Sequence, residues 1–150
     1  PDFPLRQIAA VIALCRGIII RQKIAKHRVL AHSDVAPSRK QDPGEKFPWR
    51  SLADSGVGYW VEPAPIKQGA ALKPGHSGTD VRDMQEALAR YGYKIASDGR
   101  YDVATREVVT AFQRHFRPAK VDGIADQSTL LTLQSLLANH PDRVTTTASR

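Results

Sequence analysis

The chain has 150 residues, 41% of them apolar and 25% charged, a composition that excludes a disordered tail and allows one ordinary domain or two small ones. Its formal charge of +7 suggests a polyanionic partner, nucleic acid or anionic cell wall, but ten Lys/Arg stand against six Asp/Glu in residues 1–62 and twelve against nine in 63–150. The excess is therefore spread as a solvated surface rather than gathered in a stripe, and the single cysteine, Cys15, excludes an internal disulfide and any Cys-based zinc knuckle.

The first element is a helix: Leu5, Ile8, Ile12, Cys15 and Ile19 recur at three- and four-residue steps, and Pro4 suits a first turn. Its apolar tract, "IAAVIALCRGIII", is broken by Arg16 and falls short of the roughly 20 residues a membrane crossing needs. The opening "PDFPLRQ" has no signal-peptide pattern, so the expectation is a processed chain or part of a longer protein. After a basic run, "RVLA" (28–31) reads as a short strand ending on His32, with His27 a surface residue at its start.

Residues 33–48 have no period and are rich in Pro, Gly, Ser and Asp, the signature of a structured loop. "WRSLADSGVGYW" supplies a short helix stopped by Gly56 and Gly58, and "VEPAPIKQGAALKPG" (61–75) has the composition of a linker. "TDVRDMQEALARYG" is a helix with Thr79 or Asp80 as N-cap, Val81, Met84, Ala87 and Leu88 on one face and Gly92 as its stop. An internal repeat follows: "DGRYDVAT" and "DGIADQST" each read as a tight Asp-Gly turn, a capping Asp (Asp102, Asp126) and a new helix. Together these make a three-helix unit over 75–138, with a loose tail at 139–150.

The chemistry concentrates in "HSDVAPSRKQDPG" (32–44). A residue before proline is extended, and in an extended segment i and i+2 share a face, so Lys40 and Asp42 are expected to point one way, with Gln41 opposite. His32, Lys40 and Asp42 could then converge. An imidazole and a carboxylate are zinc ligands, and a lysine beside them could stabilise a developing oxyanion. On spacing alone this stands beside the plainer alternative of a hydrogen-bonded loop histidine and a surface Lys/Asp pair.

The stretch "VLAHSDVAPSRKQDPGEKFPWRSLADSGVGYW" (29–60) resembles the C-terminal motif of the AmpD/AmiD-type N-acetylmuramoyl-L-alanine amidases. That resemblance implies a mixed α/β zinc domain, His32 and Asp42 as two ligands of one zinc ion, and Lys40 near the scissile carbonyl. The bond cleaved would join N-acetylmuramic acid to L-alanine. The family's first zinc histidine and its general-base glutamate lie upstream of the motif, whereas residues 1–31 hold no glutamate and one histidine, His27. Residues 1–62 are thus expected to be the C-terminal part of an amidase domain, with 63–74 a linker. The rest, "SGTDVRDMQEALARYGY" through "VDGIADQSTLLTLQSLL", resembles an all-α peptidoglycan-binding module, giving an α+β chain overall. The implied partner is peptidoglycan or muropeptides, with no nucleic acid, and the implied location is the periplasm or cell envelope. The rivals are a non-catalytic wall binder carrying an amidase remnant, and a nucleic-acid binder, which would need a basic recognition helix where Arg106 is followed by Glu107.

Overall fold

In the computed structural model, residues 2–141 are described; the tail expected over 139–150 lies outside them from residue 142 onward. Helix α1, Leu5–Gln22, begins after Pro4 and ends on Lys23 in the left-handed conformation (φ 52°). Ile8 is buried, and Val11, Ile12, Cys15 and Ile19 pack beside it against Trp49, Leu52 and Val57. Leu5, expected in this stripe, stands 88% exposed, since it starts the helix ahead of the residues that cover Ile8.

The strand expected at 28–31 does not form. Lys26–Arg28 make a 3-10 turn instead, and although Val29 (φ −89°, ψ 106°) and Ala31 (φ −76°, ψ 156°) are extended, they join no ladder among the described residues. An extended segment becomes a strand only where a neighbour takes its N–H and C=O groups. His32 therefore opens a one-turn helix, α2 (His32–Val35), rather than closing a strand. His27 is half-buried, its ring 4.5 Å from that of His140.

The loop ends at α3, Trp49–Asp54, which Gly56 (φ 82°) stops as its sequence requires. Tyr59, Trp60 and Val61 then pack onto a second core. Residues 63–74 lie along the far helices: the Ala64 N–H donates to Thr132 Oγ1 (3.0 Å), Ser128 Oγ donates to the Ala64 carbonyl (2.6 Å), and β1, Ala71–Leu72, pairs antiparallel with β2, Ala125–Asp126.

The second core lies between α4 (Thr79–Tyr91), α5 (Val103–Phe116) and α6 (Gln127–Ala138), around Met84, Leu88, Val109, Phe112, Phe116 and Leu136. The start of α4 falls on Gly78 (φ 133°), not on a side-chain cap from Thr79 or Asp80. Asp102 and Asp126 do cap α5 and α6, each accepting from the backbone N–H three residues on at 2.8 Å.

The repeat contains a device its Asp-Gly letters do not reveal. Gln85, buried in α4, accepts the Gly99 N–H (2.8 Å) and donates to the Arg100 carbonyl (2.9 Å) and Thr105 Oγ1 (3.0 Å). Gln113, buried in α5, does the same for the second turn, accepting from Gly123 N–H (2.9 Å) and donating to the Ile124 carbonyl (2.8 Å) and Thr129 Oγ1 (3.1 Å). Each helix thus pins the turn that leads into the next. Gly123 is required there: its φ is 70°, and a Cβ would sit 2.6 Å from Thr110 Oγ1.

Candidate functional site

The loop after α2 folds back on its own start. Arg39 and Lys40 both donate their N–H groups to the Ala36 carbonyl, at 3.0 and 2.9 Å, which reverses the chain. The Ser33 N–H donates to the Asp42 carbonyl (3.1 Å), and the Asp42–Pro43 peptide is cis. This closure brings His32 Nδ1 to 3.1 Å from Asp42 Oδ2, both side chains facing solvent at 51% and 62% exposure. Two ligands of one tetrahedral zinc, each about 2.0–2.1 Å from the ion, lie roughly 3.3 Å apart, so the pair fits two adjacent positions of such a site. Among the described residues no cluster of three His, Cys, Asp or Glu completes it.

Lys40 is half-buried and Gln41 is exposed. Both border a groove of about 270 Å³ between the loop and α5, with Arg39 beside them and Arg106 and Arg114 opposite.

The residue that organises the turn is Asp34, which carried no role in the sequence reading. Its side chain, 5% exposed, accepts the Ala31 N–H at 2.8 Å, so it caps the start of α2 from within. The same carboxylate accepts from His115 Nδ1 on α5 and from Tyr93 Oη just past α4, both at 2.6 Å. Burial holds the Tyr93 hydroxyl well above its ordinary pKa of 10.0, the negative Asp34 adding to the effect, so it is a neutral donor. His115 is fixed between the ring of Trp49 (3.9 Å) and that of Phe116 (3.9 Å). A histidine followed two residues on by an aspartate gave no signal of this, because both partners lie far along the chain.

Residues 1–45 match the N-acetylmuramoyl-L-alanine amidase family, and residues 77–133 match the peptidoglycan binding domain family. N-acetylmuramoyl-L-alanine amidase AmiD of Escherichia coli is 40% identical over 138 residues, covering 92% of this chain and 50% of that protein. Its solved complex with anhydro-N-acetylmuramic acid-L-Ala-D-gamma-Glu-L-Lys superposes at a TM-score of 0.73 with 37% identity, covering 93% of this chain and 54% of that one. AmpDH3 from Pseudomonas aeruginosa gives 0.71 at 30% identity, covering 94% and 56%. The chain spans about half the length of the curated relatives it matches.

Proposed function

We propose that this chain, in which part of an AmpD/AmiD-type amidase is joined to a peptidoglycan-binding module, serves zinc-dependent hydrolysis of the amide between N-acetylmuramic acid and L-alanine in peptidoglycan. The supporting observation is the approach of His32 Nδ1 to Asp42 Oδ2, 3.1 Å apart across a loop of ten residues. We take residues 1–62 as the amidase part, 63–74 as the connection and 75–138 as the module, and place the protein in the cell envelope, on the periplasmic side, where its substrate lies.

His32 and Asp42 would hold the zinc, together with a histidine that is not in this chain; when bound, the ion would polarise the scissile carbonyl and lower the pKa of water. Lys40 follows the reversed turn, and its ammonium would face the carbonyl oxygen as negative charge develops there. The groove beside it, where Arg39, Arg106 and Arg114 outnumber Glu107, would present cations to a peptide stem that carries carboxylates. The module keeps the protein on an insoluble polymer, raising local concentration rather than altering the chemistry.

The test is product analysis. Incubated with purified peptidoglycan and zinc, the protein containing this chain should release free stem peptides with an N-terminal L-alanine, and Asp42→Ala should abolish release while leaving wall binding intact. Wall binding by the unaltered protein without peptide release would instead identify a non-catalytic binder built on an amidase remnant.

A further inference from the structure

We infer that the module is also a positioning element of the metal loop: His115 and Tyr93, acting through Asp34, hold the backbone turn from which His32 projects. This goes beyond the tethering role and rests on the reading of His32 and Asp42 as ligands.

Burying a carboxyl group carries a desolvation cost. Asp34 is 9% exposed, and a carboxyl group at that depth is costly to bury unless hydrogen-bond partners replace its water. Three do so: Ala31 N–H at 2.8 Å, Tyr93 Oη at 2.6 Å and His115 Nδ1 at 2.6 Å. The first belongs to the turn itself, and the other two come from the module, 59 and 81 residues away. Most of what keeps Asp34 in place is therefore supplied by the second half of the chain.

Asp34 in turn fixes the ligand pair. Through Ala31 N–H it sets the first turn of α2, whose leading residue is His32, and the next amide, Ser33 N–H, is the one that ties down the Asp42 carbonyl at 3.1 Å. Movement of Asp34 would shift His32 and Asp42 together. On the other side, His115 has no freedom to follow: it is 2% exposed, stacked between Trp49 and Phe116, and its Nε2 makes no competing bond within the described protein. The chain of contacts runs from the module core through one rigid ring and one carboxylate to the ligand turn, the kind of support that fixes a metal ligand's orientation.

Amide hydrogen exchange on the whole chain, without metal, tests this. His115→Leu keeps the apolar bulk and removes the donor, whereas an asparagine amide can occupy the Nδ1 position. In His115→Leu the Ala31 and Ser33 amides should exchange about tenfold faster, with the Thr105 and Thr129 cap amides unchanged, and His115→Asn should recover most of that protection. Tyr93→Phe, which deletes one oxygen, should move the same two amides in the same direction by a smaller factor, and it serves if His115→Leu does not fold. Unchanged Ala31 and Ser33 amides in these variants, equal acceleration of Thr105 and Thr129, or no recovery with asparagine would overturn the inference. Because no metal enters the measurement, a protein containing this chain that shows this pattern but takes up no zinc would overturn the ligand assignment and leave the positioning standing.

Discussion

Lys40 and the two capping aspartates each have a consequence set by what surrounds the side chain. If Lys40 acts on the oxyanion, Lys40→Ala should lower kcat by about 10²–10³ with zinc affinity and KM little changed, read by steady-state kinetics beside metal analysis. Asp102 caps α5 in solvent, and its carboxyl is held below its ordinary value first by the Thr105 N–H bond; Asp102→Ala should cost about 1 kcal/mol in denaturant unfolding. Asp126 makes the same cap, yet it also faces buried Arg117 at 3.2 Å. Its removal leaves a guanidinium 1% exposed without the counter-charge in contact with it, so Asp126→Ala should cost about 3–5 kcal/mol. The equivalence of the two aspartates was legible in the repeat; the difference was not, because Arg117 belongs to no repeated position.

At the level of elements, periodic pattern carried the helices and turn chemistry carried the stops. α1, α3, α5 and α6 fall where apolar spacing, Gly56 and the capping aspartates put them. "RVLA" has strand composition, but composition does not provide a partner strand, and the segment settles into a 3-10 turn and an extended run. The glutamine clamps escaped notice because Gln85 and Gln113 precede their glycines by 14 and 10 residues, so they keep no common spacing with the Asp-Gly letters. They are nonetheless what joins one helix to the next. Gln113→Ala would strand the Gly123 N–H and the Ile124 carbonyl in a buried turn and should cost about 2–4 kcal/mol, measured as a lowered denaturation midpoint.

Across the whole molecule, the two cores are joined by side chains remote in sequence, above all Asp34 with Tyr93 and His115, and no local pattern announces such a junction. The junction also shapes the response to pH. Tyr93 and Tyr101 are buried, and burial raises both hydroxyls above 10.0, Tyr101 donating to the Gly123 carbonyl at 2.9 Å. Since the unfolded tyrosines ionise near pH 10 and the folded ones higher, the stability they contribute is complete below pH 10 and falls as pH rises above it. Thermal unfolding should show this alkaline loss, and Tyr93→Phe should make its slope shallower. Zinc binding by His32 and Asp42 is the central claim, and the direct measurement is a zinc titration of the ¹⁵N-labelled protein containing this chain, followed at the histidine ring nitrogens. The account predicts that zinc shifts His32 Nδ1, leaves His76 and His115 unmoved, and has no effect on His32 in Asp42→Ala; a His32 ring indifferent to zinc, or a shift that survives Asp42→Ala, would contradict it.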